Sequence, residues 1–218
     1  MAEVKNCLGI RGRIGDYVLF RLGSKTFLKR RVKENKSNTE KQQAMRARFR
    51  AAVCFYQRLK ETPLKQVLSV AARGRCVSGY ALLMKMNLKA FGADGRIADF
   101  ALLHFTVGKR QLAYSLEGWI APAGRVTLEW RNGWISELRE GQDRLEVVVL
   151  KEECSFSPVL VSEGVTRNDR GACFWVAHKP GRKVHVYCYF VSPDGKELSQ
   201  SQYIFHIEFE CIFHAIGG

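Results

Sequence analysis

The sequence lacks most of the patterns that announce chemistry. Its 218 residues hold no G-x-x-x-x-G-K-[ST] phosphate loop, no G-x-S-x-G nucleophile elbow, no H-E-x-x-H and no G-x-G-x-x-G fingerprint. The five histidines, His104, His178, His185, His206 and His214, lie too far apart for a metal site local in sequence, so no metal and no cofactor is implied. The seven cysteines are odd in number and never form a C-x-x-C pair, which excludes a disulfide framework and a zinc knuckle and makes them read as small buried apolar residues. No run of 18 apolar residues occurs, so no membrane insertion is expected. The opening MAEVKNCLGIRGRIGDYVLF has neither an uninterrupted apolar stretch nor a cleavage-type site, and cytoplasm is the expected compartment.

Acidic residues are scarce in the first hundred positions, where 7 Asp and Glu face 22 Lys and Arg. The remaining 118 residues carry 14 against 13, so the whole +14 excess belongs to the front of the chain. A local field of this size favours nucleic acid, an anionic membrane face or an acidic partner; the plainer alternative is a soluble basic face with no dedicated ligand. With 46% hydrophobic and 26% charged residues, the chain has the profile of a folded protein and the length to bury a core.

Gly9, Gly12 and Gly15, set among Arg11 and Arg13, read as a mobile basic lead-in. DYVLFRL and KTFLKRR flank Gly23-Ser24, a loop suited to a type II′ hairpin with Phe20 opposite Phe27, Leu19 opposite Leu28 and Asp16 opposite Arg31. Thr39 and Gln42 form a capping box, and Met45, Phe49, Ala52, Val53, Tyr56 and Leu59 then recur at helical spacing as one apolar stripe. A second helix starts at Pro63 and stops at Gly74, and a third runs from the cap Ser78 to Phe91. From residue 94 the period changes. IADFALLHFTV reads as a bridging strand, and 126–130, 145–149, 172–177, 183–191 and 203–211 as short strands separated by turn signals, with 126–130 and 145–149 alternating cleanly. The expected fold is therefore α+β: a basic hairpin and helical domain over 1–109, then an antiparallel β-sandwich over 110–218.

RVTLEW, LEVVVL and KVHVYCYFVSPDGKELSQSQYI resemble the second strand, third strand and closing hairpin of a fibronectin type III domain, with Trp130 at the place of its inward tryptophan. The resemblance spans residues 110–210 and implies an Ig-like sandwich. Through GIRGRIGDYVLFRLGSKTFLKRR, TEKQQAMRARFRAAVCFYQRL, GYALLMKMNLKAF and the fibronectin-like tail, the chain is also similar to an uncharacterised family from Bacteroidetes, which implies an architecture and no active site. The pattern T-x-x-Q, R-x-x-F at Thr39, Gln42, Arg46 and Phe49 is similar to a helix start in some phage-borne structural proteins, which implies assembly.

No catalytic residue stands out. Glu152-Glu153 and the pair Glu137 and Glu140 read as solvated carboxylates, as do Glu208 and Glu210, which share a strand face with His206; His206 would approach His185 if the last strands pair. The expectation is a non-catalytic structural or adaptor protein with an unknown protein partner or self-association. The alternative is polyanion binding, nucleic acid included. Either would dock on Arg11, Arg13, Arg30, Arg31, Lys33, Arg46 and Arg50, with Tyr17 or Phe27 available for stacking. Those aromatics are also needed to bury the hairpin, which weighs towards assembly.

Overall fold

A computed structural model describes residues 2–4, 9, 11–32, 38–121, 124–134, 139–177 and 182–207. Cys7, Lys33, Glu137, His178, Glu208, Glu210, Cys211 and His214 lie outside the described residues. The chain parts into two units, Met1–Glu40 and Lys41–Gly218.

The first unit is a four-stranded antiparallel sheet of β1 (Ala2–Val4), β2 (Gly12–Ile14), β3 (Tyr17–Leu22) and β4 (Lys25–Arg30), ordered β1-β4-β3-β2. The central hairpin has the expected register, Leu19 opposite Leu28 and Phe20 opposite Phe27, and the Arg31 N–H donates to the Asp16 carbonyl at 2.7 Å. Gly23 takes φ +62° while Ser24 stays outside the left-handed region, as a type II′ turn requires. Part of the glycine-rich lead-in, Gly12–Ile14, forms strand β2. Residues 13–20, RIGDYVLF, repeat eight positions later as RLGSKTFL, so Gly15-Asp16 makes a second turn of the same kind and Ile14 pairs with Tyr17. In both copies the arginine locks the turn: Arg13 Nε donates to the Gly15 carbonyl at 3.1 Å and Arg21 Nε to the Gly23 carbonyl at 2.8 Å.

The second unit begins with α1 (Glu40–Leu59), α2 (Leu64–Ala72) and α3 (Gly79–Asn87). Helix α3 starts where the sequence places its cap, the Ser78 hydroxyl accepting from the Ala81 N–H at 3.2 Å. Two antiparallel sheets follow. One joins β7 (Arg144–Lys151), β8 (Val159–Val161), β10 (Val184–Val191) and β11 (Gln202–Ile207) in the order β11-β10-β7-β8; the other joins β5 (Tyr114–Ile120), β6 (Arg125–Arg131) and β9 (Gly171–Trp175) in the order β5-β6-β9.

Four expectations are corrected here. Residues 97–107 form no strand: Phe100–Leu102 is a 3-10 turn capped by Asp99, and the segment runs on as connecting chain over the core. The division expected at 109/110 is not where the chain parts, because one buried cluster unites Ala52, Phe55, Leu68 and Leu83 of the helices with Val148, Leu150, Tyr187 and Tyr189 of the larger sheet. The opposite side of the same strands, Val147, Val149, Val186, Cys188 and Phe190, joins Val126, Leu128, Trp130 and Phe174 in a second cluster. Strands β7 and β10 are thus covered on both faces and form continuous apolar runs; over 145–149, where clean alternation was expected, Leu145, Val147, Val148 and Val149 are all buried. The α1 stripe is also split. Ala51, Ala52, Phe55 and Leu59 are buried, whereas Met45 and Phe49 are about half exposed. Positions two apart on a helix point about 200° away from each other, so the line 45, 49, 53 is a second apolar face distinct from 51, 55, 59.

Candidate interaction surfaces

None of the described side chains in the N-terminal sheet is buried. Strand alternation and register sort its residues into two unlike faces. One face carries Phe20 and Phe27, stacked with centroids 5.8 Å apart at 27°, with Lys29 Nζ 5.2 Å from the Phe20 ring. Arg13, opposite Val18, lies on this face, as do Lys25 and Glu3, which pair at 3.2 Å. The other face has Leu19 opposite Leu28 at its centre, flanked by Ile14 and Tyr17 on one side and by Val4 on the other, with Arg21 and Arg30 towards its margins. Ile14 and Tyr17 are about half exposed, so this is an uncovered aliphatic patch.

Within the N-terminal sheet the proposed docking cations do not share one face. Arg13 and Arg30 take opposite faces of the sheet, Arg11 precedes β2, Arg31 follows β4, and Arg46 and Arg50 stand on α1 in the other unit beside Met45, Phe49 and Val53. Tyr17 and Phe27, the two stacking candidates, also fall on opposite faces.

A second polar feature escaped the sequence. Arg167, wholly buried, lies 3.6 Å from Glu140 and 3.8 Å from Asp143, and its guanidinium covers the Phe190 ring at 3.7 Å. Arg110 closes the cluster at 3.5 Å from Asp143 and 2.8 Å from Glu197. Arg167 also donates to the Gln111 carbonyl at 2.7 Å, and its own carbonyl accepts from Trp130 Nε1 at 3.0 Å and Asn132 Nδ2 at 2.9 Å. Burial pushes Arg167 down and Asp143 up to about 6, against the opposing pull of their mutual attraction. This network ties the start of β5 to the turn before β9. Glu140 is therefore no free solvated carboxylate. Its partners Arg110, Gln111 and Arg167 lie 27 to 30 positions away, a separation that leaves no local pattern.

His185 and His206 are directly opposite in the β10–β11 register. His185 is stacked on Phe100 at 3.7 Å and shares a hydrogen bond of 3.0 Å with the Tyr203 hydroxyl. Among the described residues no group of three or more His, Cys, Asp or Glu is arranged to hold a metal ion. Only Cys188 among the described cysteines is buried, and burial pushes its thiol up to about 12; Cys54, Cys154 and Cys173 are exposed, contrary to their reading as core residues. No helix among the described residues is long and apolar enough to cross a membrane.

No protein-family model matches the chain, and no curated protein matches it in sequence. Among solved structures it is similar to the crystal structure of chicken CNTN1 FN1-FN3 domains, at 8% identity and a TM-score of 0.35, over 49% of this chain and 34% of that one.

Proposed function

We propose that the protein is a non-catalytic structural or adaptor protein that assembles through its N-terminal sheet, with a second copy of the chain covering the aliphatic face. One observation carries this reading: a four-stranded sheet in which no described side chain is buried. A single layer of strands gains its stability from an apolar face packed against something, and Leu19, Leu28, Ile14, Tyr17 and Val4 are the side chains available for it. A second copy suits the patch because its apolar centre is complementary to itself across a two-fold axis, with the exposed Arg21 and Arg30 left in water at the margins. Light scattering of the full chain tests this. The wild type is expected to be a dimer or larger, and Ile14→Glu with Tyr17→Glu a monomer. Both positions are half exposed and lie in the first unit, so the double variant leaves the core of residues 41–218 intact. A wild type that stays monomeric as concentration rises would overturn the reading.

The body is read as a fibronectin type III-type sandwich bearing helices on one sheet. The support is the strand order β5-β6-β9 beside β11-β10-β7-β8, the side chains shared between both sheets in one cluster, and Trp130 inside it, edge-on to Phe190 at 5.8 Å. Kinship with the uncharacterised Bacteroidetes family is proposed alongside and brings no activity.

Polyanion binding is the second reading, favoured by the stacked Phe20 and Phe27 with Arg13, Lys25 and Lys29 on one face. Filter binding of a single-stranded oligonucleotide distinguishes it. Affinity should fall steeply with salt, and Arg13→Gln and Lys29→Gln should each reduce the slope by about 1.

A further inference from the structure

We propose that a cleft in the second unit, between the end of α2 and the turn joining β10 to β11, binds a phosphomonoester group. The cleft has a volume of about 180 Å³, and Arg73, Arg75, Lys109 and Lys196 line it with Glu197 as its only acid. Glu197 is already engaged by Arg110 at 2.8 Å, and Lys196 is 3.5 Å from the exposed Asp194. Arg73, Arg75 and Lys109 have no ion-pair or hydrogen-bond partner for their side chains among the described residues.

Local backbone chemistry builds this convergence. Helix α2 ends in Arg73-Gly74-Arg75, where Gly74 at φ +69° reverses the chain and the Arg75 N–H returns to the Ala72 carbonyl at 3.0 Å, which sets both arginines at one rim. Opposite them, a Cβ on Gly108 would come within 1.5 Å of the Leu198 carbonyl oxygen, so only glycine lets residues 107–109 lie against 196–198. That approach, fixed by the Arg110 N–H donating to the Leu198 carbonyl at 3.1 Å, brings Lys109 and Lys196 to the same cleft.

Four cations held around a space this small repel one another, and an anion of high charge density relieves that repulsion. Guanidinium forks match the tetrahedral oxygens of a phosphoryl group, and ammonium groups add point charge. The volume admits one phosphoryl group with the first atoms of its carrier and is below the range of sites for larger ligands. The carrier is either a free small molecule or a phosphorylated peptide.

Calorimetric titration of the full chain with glycerol 2-phosphate, with a phosphoserine peptide, and with glycerol as control tests the site. Saturable binding of a phosphate probe is expected at low salt, weakened about tenfold or more by Arg73→Gln with Arg75→Gln and, separately, by Lys109→Gln with Lys196→Gln. Lys85→Gln with Lys89→Gln, exposed at the end of α3 and outside the cleft lining, should leave it unchanged. Tighter binding of the peptide identifies a polymer-borne phosphate, and equal or tighter binding of glycerol 2-phosphate a free one. The proposal is overturned if neither phosphate probe binds, or if the α3 variant weakens binding as much as the cleft variants do.

Discussion

At Asp143, burial and pairing pull in opposite directions. Its side chain is 1% exposed, neither carboxylate oxygen accepts a hydrogen bond, and burial outweighs Arg110 and Arg167 to hold the carboxyl near 6, above its ordinary 3.8. The folded protein therefore keeps this proton more tightly than the unfolded chain. The resulting stabilisation is complete below about pH 4 and is lost as pH rises through 6. Asp143→Asn should flatten the dependence of melting temperature on pH across that window, and profiles that stay parallel would show that the carboxyl does not titrate there. The two aromatic positions of α1 give a sharper contrast. Phe55, 1% exposed and in contact with the rings of Phe91, Phe105 and Phe156, should cost about 3–5 kcal/mol on Phe55→Ala. Phe49→Ala, at a half-exposed position, should stay within about 0.5 kcal/mol in the same denaturant titration.

Among the elements, β7 and β10 decide the architecture of the body. VVVL and VHVYCYFV are apolar on both faces because helices cover one and the second sheet the other. The fragment 41–218 should accordingly unfold cooperatively by calorimetry. The fragment 110–218, stripped of its helices, would expose Val148, Tyr187 and Tyr189 and should bind an apolar dye and aggregate. A well-folded 110–218 would restore the boundary that the change of period suggests. What could be read in advance follows the same physical line. The Gly23-Ser24 hairpin, the Ser78 cap and the strand runs at 126–130, 145–149 and 183–191 are local, set by residues a few positions apart, and they form where expected, whereas 97–107 does not. The packing of helices on the larger sheet and the Arg167 cluster join residues far apart in sequence, so no spacing announces them. The second turn at Gly15-Asp16 was legible, through the repeat RIGDYVLF and RLGSKTFL, but a glycine every third residue reads first as looseness. Of the proposed surface, the residue types were visible. Their division between two faces required the register of all four strands.

For the whole molecule, a formal charge of +14 opposes self-association at long range, while the aliphatic face of the N-terminal sheet favours it at contact. Salt screens the first and leaves the second, so assembly should strengthen as salt is raised, opposite to the trend for a nucleic-acid complex. Sedimentation velocity without nucleic acid, at about 50 and about 500 mM salt, separates the two trends. A lone sheet with no buried side chain opens readily, and its amides gain protection only when a second surface covers it. Amide hydrogen exchange over a protein concentration series therefore tests the central claim most directly. Exchange in residues 12–30 should slow as concentration rises while the core strands at 144–151 and 184–191 stay unchanged; protection over 12–30 that does not depend on concentration would contradict the account.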